Sequence, residues 1–220
     1  MNPIDRRDMM KGMAALAAAT VLPACAQAEG ENPLLQTASS AGAGNTPPTE
    51  GMAAKKTLAI VSHPYPERSV LTKGLQQAAE RVAGVTVRNL ETIYGFDTRA
   101  IKADDERRMT QEHERIVFIF PTHWFNITPM MKAWLNDTWG SVGPDLWQGK
   151  EMLVVSTAAG GSSTYGASGR IGITLADVFW PMKATALHCG MTYLPPLVFE
   201  SANSGRLPDY QRQLIQRPNE

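Results

Sequence analysis

IVFIFPTHWFNITPMMKAWLND, residues 116–137, joins an unbroken apolar run to a helical pattern through an aromatic loop. Ile116 to Phe120 contains no polar residue, the composition of a parallel strand buried on both faces, and Pro121, which has no N–H to donate, stops it. Thr128 and Pro129 have the residue types of an N-cap and a first helical position, and Met130, Met131, Trp134 and Leu135 follow at the spacing of one helix face. Trp124 and Phe125 therefore fall at the carboxyl end of a buried strand, the edge at which open α/β sheets bind ligands. A planar apolar group suits such a loop.

The chain on either side repeats the alternation. Thr57 to Ser62 reads as a first strand, Ser69 to Arg81 as a helix capped by Ser69 and closed by Gly84, and Val85 to Asn89 as a second strand. Asp104 to Glu114 is charged and helical in pattern and leads into the strand at Ile116. After the helix from Pro129 to about Trp139 come a strand over Met152 to Thr157 and a Gly/Ser-rich loop from Ala158 to Gly169. A helix over Met182 to Cys189 stops at Gly190, and Tyr193 to Glu200 supplies the last strand. Alternating strands and helices specify an α/β fold with a parallel sheet and helices on both faces. With right-handed crossovers, five strands suit the doubly wound, flavodoxin-like order 2-1-3-4-5.

The N-terminus reads differently. Arg6-Arg7-Asp8-Met9-Met10-Lys11, the apolar run from Gly12 to Leu22 and the Ala26-Gln27-Ala28 cleavage pattern form a signal peptide over residues 1–28. The paired arginines resemble the twin-arginine export motif. Leu22-Pro23-Ala24-Cys25 resembles a lipoprotein box, so cleavage after Ala28 competes with lipidation of Cys25 and a membrane tether. Either outcome leaves Cys189 without a disulfide partner. Residues 29–54, rich in Ala, Gly, Ser, Thr, Pro and Glu, read as a disordered linker, and 55–220 as one domain in an exported, periplasmic or envelope-associated protein. The formal charge is zero with no long basic run, which gives nucleic acid no electrostatic footprint. His63, His113, His123 and His188 have no metal-ligand spacing.

In the expected topology the loops after the first, third and fourth strands open at one sheet edge. The first, His63-Pro64-Tyr65-Pro66-Glu67-Arg68-Ser69-Val70, lacks a glycine-rich dinucleotide fingerprint but places His63 and Ser69 before a helix N-terminus, where free amides and the helix dipole attract phosphate. The second holds Pro121, Thr122, His123, Trp124 and Phe125. In the third, Thr157-Ala158-Ala159-Gly160-Gly161 allows backbone amides to approach a ligand, and Tyr165 stands close behind.

SHPYPERS, FPTHWFNITPMMKAWLND, STAAGGSSTYG and WPMKATALHCGMTYLPP together resemble the flavodoxin-like NAD(P)H:quinone oxidoreductases, the group of quinone reductase and the ancillary flavoprotein of potassium-efflux systems. The resemblance spans about Thr57 to Glu200. It implies a bound flavin, FMN or FAD, reduced by NADH or NADPH and reoxidised by a quinone in ping-pong order, in a homodimer. His63 and Ser69 would face the cofactor phosphate, Pro121 to Phe125 would hold the isoalloxazine, and Thr157 to Gly161 would contact its pyrimidine edge. Tyr165 matches the family's tyrosine near flavin O2 and N1. Two departures stand out. The family's histidine beyond that tyrosine is absent, with Arg170 the nearest substitute, a permanent cation that cannot relay a proton. The loop before Met152 is short, leaving Trp147 as a candidate replacement for the family's substrate-lining aromatics. Because nicotinamide cofactors are cytoplasmic, the export signal keeps two alternatives open: an accessory flavoprotein regulating a membrane partner, and a flavodoxin-type electron carrier.

Overall fold

Strand β1 (Thr57–Val61) is buried along its whole length, which its TLAIV sequence permits because neither face has to meet water. It lies inside the sheet, one strand in from the edge. The computed structural model describes residues 55–139 and 144–217; the expected signal peptide, linker and Cys25 anchor lie outside these. β1 pairs in parallel with β2 (Val85–Asn89) on one side and with β3 (Arg115–Pro121) on the other. β3 pairs in turn with β4 (Glu151–Thr157), in a register that sets Pro121 beside Thr157. The order β2-β1-β3-β4-β5 is the doubly wound arrangement expected from the alternation.

Side chains alternate between two cores. Leu58, Ile60, Ile116, Phe118 and Phe120 join Met130, Met131 and Trp134 of α4 (Pro129–Trp139) and Met182 and Ala186 of α5 (Trp180–His188) on one face. Ala59, Val61, Val117 and Ile119 meet Leu75, Ala78 and Ala79 of α1 (Val70–Glu80) and Tyr210 and Leu214 of α6 (Leu207–Gln216) on the other. The period of two along each strand thus feeds helices on both sides.

Some elements differ from the reading of the sequence. The last strand is broken into β5 (Thr192–Tyr193) and β6 (Leu197–Phe199), both parallel to β4. Pro195 and Pro196 between them have no N–H for the ladder. Two helices were unforeseen. The five-residue α2 (Leu90–Tyr94) is too short for a periodic signal, although Asn89 caps it by accepting the Thr92 N–H at 3.0 Å. α6 does carry an apolar spacing, Leu207, Tyr210 and Leu214, behind Pro208 in its first turn. The charged helix α3 (Ala103–Gln111) begins one residue before the expected Asp104 and stops short of the expected Glu114.

Ser69 stands at the N-cap position of α1, but its side chain makes no capping hydrogen bond. Its backbone, at φ −81° and ψ 55°, departs from the extended geometry that lets a cap oxygen reach the first-turn amides. Trp147 does not replace the missing substrate aromatics. It is buried in the core against Trp139, ring centroids 4.1 Å apart, in the turn entering β4 and so at the opposite edge of the sheet from the strand-end loops.

Candidate functional site

Three strand ends meet at the carboxyl edge of the sheet. From β1, the Ser62 N–H bonds the Ile119 carbonyl at 3.1 Å, and the chain then leaves the sheet through His63 and a single turn over Pro66–Arg68 into α1. The first bond of α1 runs from the Lys73 N–H to the Ser69 carbonyl at 3.0 Å, leaving the amides of Val70, Leu71 and Thr72 without intrahelical acceptors. Those three residues, His63 and Arg68 form one side of a cavity of about 240 Å³. Pro121, Thr122, His123, Thr157, Ala158 and Ala159 form the facing side, and Ala202 closes it. Ser69 lines a neighbouring cavity of about 190 Å³ that shares the His63 wall.

Burial, and then the neighbouring His123, push the His63 pKa below its ordinary value, while Glu67 opposes them. The Tyr65 N–H donates to His63 Nδ1 at 3.0 Å, which needs that nitrogen unprotonated. A neutral imidazole faces the cavity.

The second loop is a tight hairpin. The Thr122 N–H extends the β3–β4 ladder to the Thr157 carbonyl at 2.8 Å. His123 and Asn126 then exchange both backbone bonds, at 3.1 and 2.9 Å, around a two-residue turn. Its central residues are Trp124 at φ 46° and Phe125 at φ 58°. Positive φ at both positions is the signature of a type I′ turn, where Asn-Gly is the usual choice and bulky aromatics are outliers. The strained turn leaves Trp124 92% exposed and Phe125 41% exposed, at the rim and not in the core.

The third loop is fastened through its carbonyls. Ala158 and Gly160 accept from the N–H groups of Ala202 and Ser201 at 2.9 and 2.8 Å, and Gly161 accepts from Thr164 and Tyr165 at 2.7 and 2.9 Å. The amides of Ala159, Gly160 and Gly161 have no partner among the described residues, which makes a row of donors. Small residues are needed here. A Cβ on Gly161 would lie 2.1 Å from Ser201 Oγ, and one on Gly169 would lie 2.3 Å from the Tyr165 carbonyl oxygen. Tyr165 is buried at 6% exposure and meets Phe125 edge to face, centroids 6.1 Å apart. Burial, and then Glu200, raise the Tyr165 pKa, so the phenol stays protonated and able to donate. The Arg170 side chain is exposed; its N–H crosses the loop to the Ser163 carbonyl at 3.0 Å.

The cavity therefore gathers His63, Pro121, Thr122, His123, Thr157, Ala158 and Ala159. Trp124, Phe125, Gly160, Gly161 and Tyr165 follow in the same loops, outside its lining, as does Arg170. Several residues went unforeseen. Arg68 stood within the quoted loop as the residue before the cap, Val70, Leu71 and Thr72 read only as the first turn of a helix, Ala202 has no side-chain chemistry to notice, and Glu91, which lines the neighbouring cavity of about 190 Å³, belongs to the short helix α2.

Comparisons with known proteins bear on the fold that carries these loops. General stress protein 14 of Bacillus subtilis is 32% identical over 160 residues, 70% of this chain and 90% of that protein. An uncharacterized NAD(P)H oxidoreductase of the same organism is 34% identical over 147 residues, 64% of this chain and 82% of the relative. The structure of general stress protein 14 from Treponema denticola in complex with FMN has a TM-score of 0.64 and 26% identity, covering 72% of this chain and 93% of that one. Residues 3–23 match the twin-arginine translocation pathway signal sequence. Residues 55–217 match the flavodoxin-like fold family, and the chain belongs to that family.

Proposed function

We propose that this protein is an exported flavin-dependent oxidoreductase of the NAD(P)H:quinone type, working by two-electron ping-pong transfer. The observation that carries the reading is one cavity bounded by the free amides of α1 and the loop of Ala159, beside the unpaired amides of Gly160 and Gly161 and a strained aromatic hairpin. Those donors fit the two polar ends of a flavin mononucleotide. Val70 to Thr72, with His63, Ser69 and Arg68, suit a phosphate because helix N-termini bind anions. The amides of Ala159 to Gly161 suit the carbonyl edge of a pyrimidine, with Pro121 to Phe125 flanking the ring. A bound flavin would supply the hydride chemistry; the chain would position it, with Tyr165 as the donor toward its carbonyl edge and Arg170 as a nearby cation. FMN is the form held by the Treponema relative, and the oxidoreductase name of the Bacillus relative supports a nicotinamide donor.

The test is cofactor identification on the native protein from the envelope fraction, followed by NADH and NADPH oxidation with a quinone acceptor. A colourless protein that neither FMN nor FAD reconstitutes would overturn the reading. The twin-arginine match favours one second reading, a flavoprotein fed by a membrane partner, since nicotinamides stay in the cytoplasm. Flavin binding without nicotinamide turnover, with co-purification of a membrane protein, would select it. The proposal includes a homodimer and, as the competing fate of the leader, a lipid anchor at Cys25. Light scattering and mass spectrometry of the mature N-terminus decide these.

A further inference from the structure

The carboxylate of Glu91 is 8% exposed, and its two oxygens hold two different residues. Ser62 Oγ donates to Oε1 at 2.6 Å, and the His63 N–H donates to Oε2 at 3.1 Å. Ser62 Oγ also contacts Thr128 Oγ1. Thr128 opens α4, its carbonyl accepting the Lys132 N–H at 3.0 Å, and it follows Asn126, which closes the Trp124-Phe125 hairpin. Glu91 is placed for this by Asn89, whose side chain caps α2 and turns the chain sharply at the end of β2.

From this geometry we infer that Glu91 is a positioning residue for the cofactor site: it ties the phosphate-binding loop after β1 to the start of α4, and so fixes the spacing between the two walls of the cavity. The inference rests on the flavin reading above and concerns a residue that is absent from the lining of the cavity of about 240 Å³ and reaches the site from behind, where it lines the neighbouring cavity of about 190 Å³ with Ser69 and His63. Packing alone does not account for the carboxylate. Leu90 and Tyr94 already supply the apolar contacts of α2, and burial raises the Glu91 pKa, so an ionised group there carries a cost that a leucine would avoid. Two directional acceptors aimed at consecutive residues are what a leucine could not provide.

The chemistry of the pair separates position from charge. In Glu91→Gln the amide oxygen can accept the His63 N–H as the carboxylate does, while the amide NH₂ donates to Ser62 Oγ, which then donates to Thr128; all three ties survive, those through Ser62 with reversed direction. Glu91→Ala removes both acceptors. The experiment titrates FMN into the flavin-free full-length protein, by fluorescence quenching, for wild type, Glu91→Ala and Glu91→Gln, with amide hydrogen exchange on the same samples. Glu91→Ala is expected to weaken FMN binding at least about tenfold, the loss of charge-assisted orientation, and to speed exchange at His63, whereas Glu91→Gln stays within about threefold. Ser62→Ala, which keeps the His63 tie, is expected to weaken FMN without speeding exchange at His63, and provides the test if Glu91→Ala does not fold.

Unchanged FMN affinity in Glu91→Ala, or in Ser62→Ala, overturns the inference, as does a Glu91→Gln protein as weak as Glu91→Ala. A purely structural role would lower the unfolding midpoint in Glu91→Ala and leave the FMN affinity of the folded fraction at the wild-type value. Wild type that takes up no FMN instead overturns the flavin reading, and the exchange at His63 still decides the tie.

Discussion

Trp124 and Phe125 hold a backbone conformation that neither residue prefers, with φ at 46° and 58°. Left-handed geometry at a non-glycine residue costs about 1–3 kcal/mol, and here it is held by the paired hydrogen bonds between His123 and Asn126. The result is an indole and a phenyl ring held exposed, next in the chain to the His123 wall of the cavity, instead of in the core. Replacing them with the turn's preferred residues, Trp124→Asn together with Phe125→Gly, should therefore stabilise the flavin-free protein by about 1–2 kcal/mol and raise Tm by roughly 3–6 °C. The same variant should bind FMN more weakly. Calorimetry and a fluorescence titration read the two effects, and a variant neither more stable nor weaker in binding would show that the turn is not a strained cofactor element. Gly169 belongs to the same scale. Its Cβ position is filled by backbone atoms of Thr164 and Tyr165, which cannot swing aside as a side chain could, so the residue holds the Tyr165 loop closed.

Between elements, the second buried carboxylate sets how the helices on the α4 face sit. Glu106 of α3 accepts from Arg88 Nε of β2, the Tyr94 hydroxyl of α2 and Trp134 Nε1 of α4, the last at 3.0 Å. One fully buried side chain thus joins four elements, and without it the buried Trp134 Nε1 would lose its acceptor. Glu106→Ala is expected to cost about 3 kcal/mol, the low end for breaking a buried pair because Arg88 retains access to water. Chemical denaturation should show the lower midpoint, and a change under about 1 kcal/mol would mean that the network relaxes around the loss. On the opposite face the contact is apolar. Gly74 lets Leu207 approach α1 so closely that a Cβ there would lie 2.5 Å from Leu207 Cδ2, and Gln211 Nε2 donates to the Gly74 carbonyl at 2.8 Å. α6 is in this way fitted to α1 at a glycine.

At the scale of the whole molecule, an export signal precedes a domain of the flavodoxin-like family. Conservative replacement of the pair, Arg6→Lys with Arg7→Lys, keeps the positive charge and removes the paired guanidinium groups. It should leave the precursor in the cytoplasm, as cell fractionation and immunoblotting would report; unchanged export would exclude twin-arginine transport as the route. Much of the fold and of its ligand edge could be read directly. The run from Ile116 to Phe120 could only be a strand covered on both faces, and Thr128-Pro129 fixed where the next helix began, so the Trp124-Phe125 loop had to lie at a strand end. The first and third loops were legible for the same reason, as short segments between strong strand and helix patterns. Glu91 was not, because a carboxylate in a five-residue helix looks like any solvated acid until the end of β1 is laid beside it. Ala202 and Arg68 were not, because the cavity they border exists only when β6 pairs with β4 and α1 starts beside β3. What the sequence determined by itself was the order of elements, the aromatic loop at a carboxyl edge and the export leader, all written in local periodicity, capping and charge. What only the tertiary structure decided was the row of free amides, the left-handed turn and the buried ties behind the cavity, since parallel pairing brings distant strand ends together and no local pattern records which groups will meet there.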